Sequence, residues 1–176
     1  DDLRIIMNPQ LNPDALNNLT SKKETEKQNR KNQDIKNMIE KKHPNALTFN
    51  NEDLLYVGDS HGQINVWKVE IYQGDEVQVK DHYLIKHKEI EGDQINELII
   101  HPLSKNQIYV HSRDNCIRLI ECEHSRGTRV KQRFFGSKCN NFMIQSCLSP
   151  DGKFLVSGSE TGQPYIWDAQ TEDPVT

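Results

Sequence analysis

A block of sequence returns three times at a spacing near fifty residues, and nothing else in the chain restricts its fold so strongly. Tyr56-Val-Gly-Asp-Ser-His-Gly-Gln-Ile-Asn-Val-Trp67 matches Val156-Ser-Gly-Ser-Glu-Thr-Gly-Gln-Pro-Tyr-Ile-Trp167 without a gap. Gly58, Gly62, Gln63 and Trp67 recur at Gly158, Gly162, Gln163 and Trp167, each displaced by 100 positions. A third copy, Val110-His-Ser-Arg-Asp-Asn-Cys-Ile-Arg-Leu-Ile120, lies 53 residues after the first and 47 before the last. A unit repeated at such a period is one supersecondary element that cannot bury its apolar faces alone and must stack on its neighbours.

Each copy reads as four antiparallel strands. The inner strands are short and apolar (Ala46–Asn50, Asn96–His101, Gln145–Ser149), and two of them run into His101-Pro102 and Ser149-Pro150. Second strands follow at Leu54–Gly58, Gln107–Ser112 and Phe154–Ser159, and third strands at Ile64–Val69, Ile117–Glu121 and Pro164–Asp168. Between second and third strands lie His61-Gly62, Asp114-Asn115 and Thr161-Gly162, with Gly or Asn where a tight hairpin needs positive φ. Outer strands are expected at Tyr83–Ile90, at Arg129–Phe135 and near Pro174–Thr176. Blades are thereby expected over 45–95, 96–144 and 145–176, the last truncated in its outer strand.

Trp67-Lys68, Ile120-Glu121 and Trp167-Asp168 occupy the position of the Trp-Asp pair in WD40 repeats, and the chain resembles that family on these residues. The resemblance implies an all-β fold, a partial β-propeller of about three four-stranded blades. In the family a buried tetrad joins the tryptophan, a Ser/Thr, a histidine and an aspartate of the hairpin turn. Here the aspartate position holds His61, Asp114 and Thr161, so no copy has both aspartate and tryptophan, and apolar packing is expected to carry the blades. Further features are Ile100-His-Pro102, Arg133-Phe-Phe-Gly136 and Leu148-Ser-Pro150. With the three repeats, over 43–176, they are similar to WD40 scaffolds of the ciliary base. That closer resemblance implies a non-catalytic protein–protein scaffold, cytoplasmic and at the cilium, its base or the cytoskeleton. A generic WD40 adaptor in another assembly, or a propeller accessory to an enzyme, is the alternative. The coiled coil and SH3 domain of those scaffolds are not visible in this sequence.

The first 44 residues differ in character. Leu3-Arg-Ile-Ile-Met7 within residues 1–10 reads as an outer strand of a preceding blade. Residues 11–44 read as a charged, partly helical insertion: Pro13-Asp14 offers a helix start and Pro44 an end, yet residues 21–34 contain no apolar side chain. Ile35, Met38 and Ile39 could dock on a partner, while a solvated charged loop accounts for the same residues. The chain starts at Asp1, which reads as a piece of something longer. Residues 22–42 carry eight Lys/Arg against four Asp/Glu within a total charge of -4. A basic arm on an acidic body is not the footprint of a nucleic-acid binder.

No catalytic constellation emerges. There is no Gly-x-Ser-x-Gly, no phosphate-binding Gly-x-x-x-x-Gly-Lys-Ser/Thr and no zinc-spaced cysteine pair. The four cysteines (Cys116, Cys122, Cys139, Cys147) are too few and too irregular for a disulfide framework and point to a reducing compartment. His111 with Cys116 and Cys122 is the nearest metal candidate, and strand packing explains it better. No catalytic residue, metal or cofactor is assigned. No apolar run is long enough to cross a bilayer. Arg129, Lys131 and Arg133 alternate along an expected outer strand, which would set three cations on one side. They are the candidate contact for an acidic protein or, peripherally, an anionic lipid head group; cations that keep an exposed edge from pairing are the plainer reading.

Overall fold

The computed structural model describes residues 42–71, 77–123 and 127–175. The expected strand at 1–10, most of the insertion at 11–44, and Ile35, Met38 and Ile39 lie outside them. Among the described residues eleven strands form three antiparallel sheets. The first holds β1 (Pro44–Phe49), β2 (Leu54–Asp59), β3 (Ile64–Ile71) and β4 (Val77–Ile85) in that order. The second holds β5 (Ile95–Ile100), β6 (Gln107–Ser112), β7 (Cys116–Glu123) and β8 (Gly127–Phe135). The third is β9 (Ser146–Leu148), β10 (Phe154–Ser157) and β11 (Tyr165–Asp168).

Burial explains why these segments are strands and why their patterns differ. The second sheet is covered on both faces, so β6 and β7 are buried along most of their length, polar His111, Ser112 and Arg118 included. Ile108 and Val110 turn toward the first sheet, into a core with Tyr56, Ile64, Val66, Ile85 and Ile95. Tyr109, Ile117, Leu119 and Phe134 turn the other way, onto Leu155 and Trp167 of the third sheet. Strands β1 and β11 of the outer sheets alternate in part: in β11 Trp167 is buried while Ile166 is exposed, and in β1 buried Ala46 is followed by exposed Leu47. The innermost strands β1, β5 and β9 stand next to one another along one side of the stack.

The turns obey the spacing. Gly62, Asn115 and Gly162 have φ of 74°, 66° and 80°. Two expected strands are corrected. The outer strand placed at Tyr83–Ile90 is β4, Val77–Ile85, because the His87 carbonyl accepts the N–H groups of Ile90 and Glu91 and turns the chain. Polar residues interleaved with Val77 and Val79 hid the true start. The outer strand expected near Pro174–Thr176 is a single bridge, Trp167 to Pro174, with Val175 N–H donating to the Ile166 carbonyl at 2.8 Å.

Candidate interaction surfaces

Strand direction sorts the loops onto two rims. Hairpins β2–β3, β6–β7 and β10–β11 share one rim with the inter-sheet loops 86–94 and 136–145; β1–β2, β5–β6 and β9–β10 turn at the other.

On the first rim, position 59 of the repeat caps the turn in the first and last copies. Asp59 Oδ1 accepts the N–H of His61 and of Gln63, both at 2.9 Å. Ser159, its counterpart in the last copy, accepts the N–H of Thr161 at 3.3 Å and of Lys138 at 2.9 Å. Asp114 binds Arg118 instead of a tryptophan–histidine pair, so the WD40 tetrad is replaced. Gly58 lets the first sheet approach Ile95, whose Cγ2 lies 2.7 Å from where a Cβ would stand. Gly158 backs onto Ile144, and Asp168 caps the turn that follows β11 through the N–H of Gln170 at 2.8 Å. Trp67 is half-buried in β3.

Polar clamps join the sheets at their seams. From loop 86–94 Glu89 accepts Nε and Nη2 of Arg133 at 2.7 and 2.6 Å, with Arg118 Nε 3.5 Å away. The Arg133 hydrogen bonds hold the Glu89 carboxyl at about 2, below its ordinary 4.5. At the other seam Glu97 accepts Ser146 Oγ at 3.2 Å and the Ser146 N–H, and Ser146 Oγ meets His111 Nδ1 at 3.3 Å. Burial pulls His111 down to about 4 and pushes Glu97 up. An aromatic seam runs alongside: His101 stacks on Tyr109, Tyr109 meets Phe134 at 5.9 Å, and Phe134 meets Trp167 edge-on at 6.1 Å. The Trp167 indole N–H donates to the Phe135 carbonyl at 3.1 Å.

The expected cation stripe does not line up. A bulge shifts the register of β7 and β8 between Ile120 paired with Val130 and Leu119 paired with Gln132. The extra residue, Lys131, breaks the two-residue period, so Arg129 and Arg133 emerge on opposite faces. Arg129 and Lys131 lie 3.2 and 3.6 Å from Glu121, and Arg133 is held by Glu89. His111, Cys116 and Cys122 do not converge either: Cys122 packs against the first core while His111 faces Ser146. Among the described residues no group of three or more His, Cys, Asp or Glu could hold a metal. No helix among them is long and apolar enough to cross a membrane.

Reading by motif missed a loop that the structure builds with care. Glu160 accepts the N–H of Asn141 at 2.5 Å and of Phe142 at 2.8 Å, and Asn141 Nδ2 at 3.1 Å. The Cys139 N–H donates to Asn115 at 2.8 Å. Loop 136–145 is thereby fixed, yet Phe142 is 67% and Met143 53% exposed. Phe142-Met143 directly after Asn140-Asn141 was the available signal.

Stacked antiparallel sheets with inner strands side by side, repeated at the Trp-Asp spacing, define part of a WD40-type β-propeller. No protein-family model matches the chain. Jouberin of Mus musculus is 30% identical over 142 residues, covering 78% of this chain and 13% of that protein. Protein lethal(2)denticleless of Drosophila melanogaster is 31% identical over 137 residues, covering 74% and 17%. The crystal structure of Chaetomium thermophilum Sqt1 bound to the N-terminus of ribosomal protein L10 aligns with a TM-score of 0.54 and 25% identity. That alignment covers 72% of this chain and 33% of that one. The chain is a WD40-repeat protein related to Jouberin, and it spans only a small part of each curated relative's length.

Proposed function

We propose that these sheets belong to a non-catalytic scaffold that binds other proteins, and that loop 136–145 is one of its contact points. The observation that carries this is Phe142 and Met143, exposed to solvent on a loop whose backbone Glu160 pins in place. A loop whose backbone is already fixed loses less conformational entropy when its apolar side chains bind, which is one way interface anchors gain affinity. Recognition on loops set upon rigid strands is the general use of such folds. Sqt1, of like fold, is seen holding a protein segment, which supports the same mode here. The relation to Jouberin supports a finer reading, a role in cilium assembly or organisation at the ciliary base.

The test is affinity capture and localisation of the full-length tagged protein in ciliated cells. Native protein is expected at the ciliary base with a reproducible set of partners, and a Phe142→Ser/Met143→Ser double variant, folded by its unfolding midpoint, is expected to lose part of that set. Unchanged partners in the variant would remove loop 136–145 from the reading. A diffuse signal with none at the cilium would remove the ciliary role.

A further inference from the structure

On the rim opposite loop 136–145, a cleft of about 420 Å³ opens between the second and third sheets. Leu103, Leu119 and Ala169 give it apolar walls; Tyr109, His101 and Lys131 also line it. Tyr109 is only 1% exposed, and its buried hydroxyl has no hydrogen-bond partner. An orphaned hydroxyl inside a protein is costly, and an acceptor on a ligand in the cleft it lines relieves that cost. Burial pushes this phenol up to about 12, so it stays a neutral donor. His101 supplies a second donor. Its Nδ1 accepts the Leu103 N–H at 3.1 Å, which places the ring proton on Nε2, and burial holds the ring below its ordinary range, in the neutral form.

The charges around the cleft select the ligand. Arg129 and Lys131 share one carboxylate, Glu121, leaving one positive charge in surplus beside the opening. Asp151, the acid that lines the cleft, is already satisfied by Ser149 Oγ at 2.6 Å, the Lys153 N–H at 3.2 Å and the Lys153 ammonium at 3.4 Å. Apolar walls, neutral donors and a cation at the mouth suit an aliphatic stem that ends in a carboxylate.

We propose that this cleft takes an acidic side chain, Glu or Asp, from a peptide segment of a protein partner. The Tyr109 hydroxyl donates to the carboxylate, and Lys131 faces it from the mouth. The proposal rests on the reading of the chain as a protein-binding scaffold and names the partner chemistry of one site. It gives Lys131 a use that the broken cation stripe could not.

The test selects a displayed library of random short peptides on the full-length protein. Retained peptides are expected to share an acidic residue next to apolar ones. Tyr109→Phe and Lys131→Gln are each expected to weaken them about tenfold, the scale of a hydrogen bond or ion pair to a charged group. Tyr109→Phe keeps the ring and removes only the orphaned hydroxyl, so its unfolding midpoint is expected to equal or exceed that of the native protein. No retained peptide, retained peptides without an acid, or acidic peptides indifferent to both substitutions would each overturn the site. Capture of whole partners that survives Tyr109→Phe, with no acidic peptide retained, would overturn the site and leave the scaffold reading standing.

Discussion

Arg118 and Arg133 face each other across β7 and β8, and Glu89 reaches over from loop 86–94 toward both. Two like charges at opposed strand positions repel; Asp114 of the same sheet pairs with Arg118, and Glu89 supplies the counter-charge of Arg133. Glu89 is therefore a connector between sheets. Glu89→Gln is expected to lower stability by about 1 kcal/mol, the range of a partly exposed but bidentate pair. The sign with pH follows from the depressed carboxyl. The contribution is complete above pH 4.5 and disappears as pH falls toward 2. Thermal unfolding of native and Glu89→Gln protein from neutral to acid pH measures this, and the two curves are expected to converge at the acid end.

Gly62 and Gly162 occupy the same place in two copies of the repeat, yet substitution should not cost the same at both. Each has positive φ, 74° and 80°, which a side chain tolerates poorly. At Gly62 a Cβ would stand 1.6 Å from the Ile90 carbonyl oxygen, whereas at Gly162 nothing lies within 4 Å. Gly162→Ala is expected to cost about 1 kcal/mol from backbone strain alone. Gly62→Ala must also displace loop 86–94, the loop that carries Glu89, and is expected to cost well above 3 kcal/mol. Denaturant unfolding of the two variants measures the difference; equal midpoints would mean that loop 86–94 yields freely.

Strands and turns were legible because they depend on local chemistry that repeats. The positive-φ residue in each hairpin and the apolar second strands lie within a dozen residues of sequence, and three copies reinforced one another. Contacts between copies were not legible. Glu89 meets Arg133 across 44 residues and Glu97 meets Ser146 across 49, and nothing in either neighbourhood marks the partner. The cation stripe failed for a related reason: one bulged residue, Lys131, undoes a two-residue period, and its cause lies in the pairing of another strand. Apolar packing was the expectation in place of the tetrad, and the sequence did not show that Trp167 would find a new acceptor in the preceding sheet.

His111 gives a second pH signature, at higher pH than Glu89. It is buried beside Ser146 and its register partner Glu97, with Asp114 close enough to favour its cation weakly. Burial dominates and lowers the imidazole to about 4 from 6.5. An unfolded chain takes up this proton below pH 6.5 while the folded one does so only near 4, so stability falls with acid across that window. The slope from this residue is at most about 1.4 kcal/mol per pH unit. His111→Gln, which keeps a polar group for Ser146 without titrating, is expected to flatten the dependence between pH 6.5 and 4. An unaltered slope would show that other groups set it.

Trp167 tests what replaced the tetrad. Its indole N–H donates across the seam to the Phe135 carbonyl, and its ring closes the series from Tyr109 through Phe134. Trp167→Phe keeps an aromatic face but loses the hydrogen bond and part of the buried area. The expected cost is about 2 kcal/mol, with roughly half from the unpaired carbonyl. Trp167→Leu also removes the edge-on contact with Phe134 and is expected to cost about 1 kcal/mol more. Phe134→Leu should be strongly non-additive with it, because the two rings touch each other, whereas Glu89→Gln on the far face of the second sheet should add simply. A double-mutant cycle of Trp167 with Phe134, and of Trp167 with Glu89, measures both couplings. A coupling near zero for the aromatic pair would mean that the third sheet is held to the second by its backbone and polar contacts, not by this seam.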